Sequence, residues 1–131
     1  MKHLIISGDL DDNSISSICR RISSNKNLNI LGFDANKMTN EGLFELINAI
    51  DNFQISKFYL VGGFDDNSIN YICKWLKKNP FLIYIYLEGL YTKEGRAYIN
   101  TCLNQMKNLI KIQISTHYSE TYRMNGRDNF N

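Results

Sequence analysis

The sequence predicts an α/β solenoid of about four and a half strand–helix repeats of 27 residues. The first observation behind this prediction is an apolar triplet that returns once in every repeat. Its members lie at Met1, Leu4 and Ile6, and the later copies begin at Leu28, Ile55, Leu82 and Leu109. Every position of the triplet is apolar in a chain that is 44% hydrophobic, so coincidence is a poor explanation. A fixed period of this length is typical of repeat proteins, whose units bury their apolar faces against neighbouring units.

The second observation is that alternate repeats share short polar motifs. Residues 11–15 (DDNSI) recur identically at 65–69, and residues 39–42 (TNEG) are echoed by TKEG at 92–95. The repeats therefore alternate between two types.

The third observation is a change of period within each repeat, which the second repeat shows best. Leu31 and Phe33 alternate with Ile30, Gly32 and Asp34, which is the period of a short strand. Asn36 and Met38 follow in a predicted turn, and Thr39 is a good N-cap for a helix that runs to about residue 51.

The other repeats predict the same order of elements. Helices are expected over 14–24, 40–51, 67–78 and 93–106. Gly62 and Gly63 indicate a turn after the third strand, and Pro80 ends the third helix. The predicted helix residues of the core are Ile15, Ile18, Ile22, Leu46, Ile50, Ile69, Ile72, Leu76, Ile99 and Leu103.

The second repeat resembles the leucine-rich repeat consensus of the long, helix-containing, ribonuclease-inhibitor-like subtype. It carries Leu28-x-x-Leu31-x-Phe33-x-x-Asn36-x-Met38-x-x-x-Gly42-x-x-x-Leu46. The other repeats depart from it at the asparagine, where Asp9, Gly63, Leu90 and His117 stand. The resemblance implies a horseshoe with five parallel strands on the concave face and four helices on the convex face. It also implies protein recognition, since the family includes inhibitors of other proteins' enzymatic activity.

We expect residues 1–115 to form one leucine-rich repeat domain. Residues 116–131 are a polar tail, either a partial cap on the last repeat or flexible. The net charge of +2 carries no message about nucleic acid or membranes, and no apolar run is long enough to span a bilayer. The three cysteines lack paired spacing and predict reduced, buried thiols. This favours a cytoplasmic protein, or one delivered into a host cytoplasm.

The predicted binding surface is the concave face. The residues that point away from the core there are His3, Ile5 and Ser7 and their equivalents in the later repeats. Three tyrosines cluster on two neighbouring strands there, and tyrosine is a preferred interface anchor. The alternative is that tyrosine simply favours strands. The predicted partner-binding residues are Ile5, Asp34, Lys57, Tyr59, Val61, Tyr84, Tyr86, Glu88 and Gln113.

Acidic residues collect where the strands end. Asp11, Asp12, Asp65 and Asp66 form a predicted acidic rim that would favour a basic partner. The alternative is that these carboxylates cap helix N-termini. A calcium site is disfavoured because the spacing of a known calcium loop is missing.

The sequence predicts no enzyme, metal or cofactor. His3 and His117 belong to the first and fifth strands, and no CxxC, HExxH or phosphate-binding loop occurs. We therefore expect a protein-binding module with the concave face as its site, such as an inhibitor or a pathogen or anti-defence effector. One alternative is a homodimer formed through the uncapped strand at residues 1–7.

A further alternative is nucleic-acid binding by the basic helices. The pI of about 8.4 disfavours it. Trp75 is either available for stacking near the basic residues or a half-buried helix residue. The basic residues concerned are Arg20, Arg21, Lys74, Lys77 and Lys78.

Overall fold

The structure, a computed structural model, describes residues 2–116. Five strands alternate with four α-helices along the chain. The strands are β1 (His3–Asp11), β2 (Ile30–Lys37), β3 (Lys57–Asp65), β4 (Tyr84–Leu90) and β5 (Lys111–Thr116). The helices are α1 (Asp12–Ile22), α2 (Asn40–Ala49), α3 (Ile69–Lys78) and α4 (Lys93–Asn104), and a 3₁₀ turn at Asp66–Ser68 precedes α3.

All strands are parallel and form one sheet in the order β1-β2-β3-β4-β5. The register confirms the 27-residue period, because each residue of the triplet pairs with its equivalent in the next repeat. Leu4, for example, pairs with Leu31, and Leu31 pairs with Phe58. A parallel connection needs a crossover, which a helix supplies after each of the first four strands.

The core lies between the sheet and the helices. The triplet is fully buried in the second, third and fourth repeats. In the first and last repeats Leu4, Ile6, Leu109 and Ile112 are partly buried, since within residues 2–116 these repeats pack against a neighbour on one side, and Ile114 is buried. Nine of the ten predicted helix residues of the core are buried, and Ile18 on the outer flank of α1 is partly buried. Met1, the first predicted triplet member, lies outside the described residues.

Two carboxylates, Asp12 and Asp66, each connect one repeat to the next. The Thr39 backbone N–H donates to Asp12 Oδ1 at 2.8 Å, and the Thr39 hydroxyl donates to Asp12 Oδ2 at 2.5 Å. Asp66 accepts the same two hydrogen bonds from Thr92, the backbone one at 3.0 Å. Thr39 and Thr92 in turn cap α2 and α4, so the N-cap predicted at Thr39 is confirmed. Each carboxylate thus holds the start of the next helix.

The glycines of the repeated TNEG and TKEG motifs make room for these carboxylates. A Cβ at Gly42 would lie 2.3 Å from Asp12 Oδ1, and a Cβ at Gly95 would lie 2.1 Å from Asp66 Oδ1. Such distances are far inside van der Waals contact, so the motif pairs a capping threonine with a glycine for steric reasons.

The strands are longer than predicted, and the expected turn at Gly62 and Gly63 is wrong. Both glycines lie within β3, and Gly63 N–H donates to Met38 O at 2.7 Å. A Cβ at Gly62 would lie 2.8 Å from the ring of Phe64. The glycine therefore serves side-chain packing beneath the sheet. Gly8 has a φ of 145°, a backbone conformation that residues with a side chain rarely adopt, so this position does require glycine. It lies where β1 shifts register against β2.

The helices differ from prediction mainly at their ends. α1 begins two residues earlier, at Asp12, because Asp11 is its N-cap and accepts from Ser14 N–H at 2.9 Å. The equivalent segment of the third repeat opens with the 3₁₀ turn. Among residues 2–116 no helix is long and apolar enough to cross a membrane, the longest being α4 with 12 residues. The predicted tail at 116–131 lies outside the described residues apart from Thr116, which ends β5.

Candidate functional site

The side of the sheet away from the helices, here called the open face, carries three rows of side chains that run across the strands. The register assigns them directly. The first row is His3, Ile30, Lys57, Tyr84 and Lys111. The middle row is Ile5, Gly32, Tyr59, Tyr86 and Gln113, and the last row is Ser7, Asp34, Val61, Glu88 and Ser115. The face is therefore basic on one side, apolar and aromatic in the middle, and acidic on the other side.

A groove of about 430 Å³ crosses this face at the β1–β3 end. Gly32 forms its floor, and Ile5 and Tyr59 stand on either side of the gap that the missing side chain leaves. Ile5 is 72% exposed, although it is a large aliphatic residue within a strand. Lys57 and Asp34 lie at the two ends of the groove. The groove can therefore accept an apolar side chain with charged groups on either side of it.

The predicted tyrosine cluster is present and ordered by contacts between its members. The rings of Tyr59 and Tyr86 stack, with centroids 4.8 Å apart and planes 15° apart. Tyr86 Oη donates to Glu88 Oε1 at 2.6 Å, and Lys111 Nζ lies 5.8 Å from the centroid of Tyr84. Aromatic pairs fixed in this way lose little freedom when a partner binds, which favours an interface role.

The nine predicted partner-binding residues do not contribute equally. Ile5 and Lys57 are exposed, and Asp34, the three tyrosines and Gln113 are partly exposed. Val61 and Glu88 lie on the same face and are buried, Glu88 completely. These two residues are on the predicted face but less accessible than the other seven. For Glu88, the hydrogen bond donated by Tyr86 ties the carboxylate to the sheet. Partner binding by all nine residues stays a prediction.

The acidic rim has an internal role, which supports the capping alternative. Asp11 caps α1, and its bond from the Ser14 backbone lowers the pKa of the carboxyl. Asp65 caps the 3₁₀ turn and accepts from Asn40 Nδ2 at 2.8 Å, which lowers the pKa of Asp65. Asp12 and Asp66 hold the capping threonines. A role for the rim in partner binding remains untested.

Trp75 is not available to stack on a nucleic-acid base. Its side chain is 1% exposed and packs against Phe58, with centroids 4.9 Å apart. The alternative in which Trp75 stacks on a base beside the basic residues is therefore wrong, because residue 75 lies on the core face of α3.

The cysteines are buried and form no disulfide. Burial raises the pKa of Cys19 to about 11 and that of Cys73 to about 12, where the neighbouring Cys102 adds to the effect. Within residues 2–116, no cluster of histidine, cysteine and acidic side chains could hold a metal ion.

Two residues that line the groove, Gly32 and Ile30, were not among the predicted partner-binding residues. Their position in the repeat placed both on the concave face, but neither was expected to bind. A glycine gives no chemical signal of binding. The signal lay in the register, which aligns Gly32 with large side chains at the same position of neighbouring strands.

Comparison with known proteins supports the fold. No protein-family model matches the chain, and no curated protein sequence is similar to it. Among solved structures it is similar to one titled Leiomodin-1 Actin-Binding Site 2, with a TM-score of 0.67 and 13% sequence identity over 99% of this chain and 78% of that chain. At this identity the likeness concerns the fold alone. With the parallel sheet and its 27-residue register, it identifies a leucine-rich-repeat-like α/β solenoid.

Proposed function

We propose that this protein is a binding module for another protein and that the open face is its site. The groove over Gly32 carries the proposal, because it combines an exposed aliphatic side chain, a stacked aromatic pair and charged ends on one rigid sheet. Buried aromatic and aliphatic anchors surrounded by polar groups are the usual composition of an interface centre. That the similar solved structure is named as an actin-binding site is consistent with a protein partner, without indicating which one.

The proposal extends to a mode of action without chemistry. The module would act by covering or positioning its partner, as an inhibitor or an effector does. The repeats would belong to the ribonuclease-inhibitor-like subtype, whose long helices α1 to α4 resemble. Three buried thiols suit a reducing compartment, so we place the protein in a cytoplasm, its own or a host's.

A substitution that fills the groove tests the site without removing a contact of the fold. A Cβ at Gly32 would lie 3.4 Å from Tyr59 Cβ and 3.5 Å from Ile5 Cγ1, which is ordinary contact. Gly32→Leu should therefore fold as the wild type does and occupy the gap. In pull-downs from cognate extract, we expect a protein retained by the wild type to be lost by Gly32→Leu and by the combined Tyr59→Ala, Tyr84→Ala and Tyr86→Ala variant.

A matched control is Tyr98→Leu, which changes an exposed aromatic residue on α4, remote from the open face. All variants must first show cooperative thermal unfolding. The proposal fails if Gly32→Leu retains the same proteins as the wild type and as Tyr98→Leu.

Self-association is a second candidate, favoured by the edge of the sheet. β1 pairs only with β2 among the described strands, and Ile5 within it is exposed. Unpaired strand edges promote pairing with another chain. Sedimentation equilibrium tests it: edge pairing requires a dimer mass that Gly32→Leu preserves, whereas a monomer at every soluble concentration rejects it.

A further inference from the structure

The charges of the chain are sorted to opposite edges of the sheet, a feature that the open-face proposal does not use. Between the last turn of each helix and the first residue of the next strand, the described chain carries eight basic residues and one acid, Asp51, and a ninth basic residue, Lys2, directly precedes β1. The basic edge consists of Lys2, Arg20, Arg21, Lys26, Lys57, Lys77, Lys78, Lys107 and Lys111. All nine are exposed.

The opposite edge has the reverse composition. From the second half of each strand to the first turn of the next helix there are nine acids and three basic residues, Lys37, Lys93 and Arg96. With strands 4.7–4.9 Å apart, the basic edge extends over about 19 Å across five strands and the acidic edge over about 14 Å across four. The net charge is therefore only +2 although one edge of the molecule is strongly positive.

Two large apolar side chains project among the lysines of the basic edge. Ile110 is 83% exposed and Phe81 is 48% exposed. They lie in neighbouring loops, which are held together by Asn108 Nδ2 donating to Pro80 O at 3.0 Å and by Ile110 N–H donating to Ile83 O at 2.8 Å. Beside these loops a groove of about 450 Å³ opens between α3 and α4 and is lined by Leu76, Pro80 and Met106 as well as by Lys77 and Lys107.

We propose that the basic edge binds the surface of a membrane containing anionic lipids. Lysines are attracted to the negative headgroups, while Phe81 and Ile110 insert at the boundary with the acyl chains. Binding of a nucleic acid would account for the positive charge of this edge, but it would not account for the exposed side chain of Ile110. The basic edge shares Lys57 with the groove over Gly32, but Lys77, Phe81, Lys107 and Ile110 do not line that groove. Variants of these four residues therefore test this proposal independently of the proposed function.

Flotation with vesicles tests the proposal. We expect the wild type to float with equimolar phosphatidylserine–phosphatidylcholine vesicles and to stay in solution with phosphatidylcholine alone. Lys77→Gln combined with Lys107→Gln should weaken the partition about 25-fold, from roughly 5-fold for each lysine near an anionic surface. The matched control is Lys37→Gln combined with Lys93→Gln, which removes the same charge from the opposite edge and should float as the wild type does.

A second pair of variants separates a membrane from other polyanions. Phe81→Ser with Ile110→Ser keeps every charge and should weaken vesicle binding about 10-fold or more, through lost apolar burial. Binding of this variant to single-stranded DNA should equal that of the wild type. The proposal is overturned if the wild type ignores phosphatidylserine vesicles, if both lysine pairs weaken flotation equally, or if the Phe81 and Ile110 variant floats undiminished.

Discussion

Replacing Gly95 with alanine should destabilise the protein only while Asp66 is present. A new Cβ would lie 2.1 Å from Asp66 Oδ1, 2.5 Å from its Cγ and 2.8 Å from its Oδ2, with no other atom among its three nearest neighbours. The carboxylate would have to move, and both hydrogen bonds from Thr92 would be lost or distorted. In an otherwise ordinary helix the same substitution stabilises by about 0.5–1 kcal/mol, because glycine has the greater backbone entropy to lose.

The magnitude follows from these opposing effects. Two hydrogen bonds to a partly exposed carboxylate contribute about 1 kcal/mol each, and residual crowding adds about 1 kcal/mol. After subtracting the alanine gain of about 1 kcal/mol, Gly95→Ala should lower the free energy of unfolding by about 2 kcal/mol. For a domain of this size that is roughly 8 °C in Tm.

The sign should reverse when the carboxylate is removed. Asp66→Ala alone costs about 2 kcal/mol for the lost bonds, but adding Gly95→Ala to it should recover about 0.5–1 kcal/mol. Urea unfolding of the four proteins in this double-mutant cycle gives the coupling energy, expected to be about 3 kcal/mol. If Gly95→Ala destabilises equally with and without Asp66, the steric explanation of the threonine–glycine motif is wrong.

Two other predictions concern buried polar groups. Asn79→Ala should lower the free energy of unfolding in urea by about 2–4 kcal/mol. The buried Asn79 side chain accepts from Ile55 N–H at 3.2 Å and donates to Ile55 O at 2.8 Å, so both backbone groups would lose their partners. A loss below about 1 kcal/mol would mean that water replaces the amide. Cys19 and Cys73 should react slowly with iodoacetamide at pH 9 in the native state and rapidly in urea, because burial raises their pKa values from 9.0 to about 11 and about 12. Their contribution to stability is full below pH 9 and is lost as the pH rises through those folded values, so native thiols that react as fast as the unfolded ones would contradict the assignment.

The sheet was predictable because its determinants repeat. An apolar residue at one phase of a 27-residue period meets its equivalent on the next strand, so the pattern specifies both the burial and the register. Helix starts were predictable where a threonine stands alone as a cap, as at Thr39. They were less so at Asp11 and Asp12, where two adjacent acids divide the work between their own helix and the next one.

The glycines show why the rest was harder to predict. Gly62 lies in a strand beside a buried ring, and Gly32 lies on the floor of a groove. Gly95 lies in a helix beside a carboxylate. From sequence each suggests a turn or flexibility. Gly95 instead makes room for Asp66, Gly62 makes room for the Phe64 ring and the Met38 side chain, and Gly32 leaves the gap of the groove. Each role depends on how the neighbouring strands and helices stack.

The same stacking explains how function can be hidden in an ordinary composition. In a solenoid, the residues at one position of the repeat form a row that runs across the stacked repeats. Residues of the same position therefore become neighbours even though a whole repeat separates them in sequence. Lys57, Lys77 and Lys107 all stand at or shortly before a strand, whereas Asp12 and Asp66 follow one. Because these phases alternate along the chain, their charges nearly cancel in the total of +2. Charge in a repeat protein is therefore informative when it is counted by phase, and here that count places the positive edge beside Phe81 and Ile110, where the vesicle experiments test it.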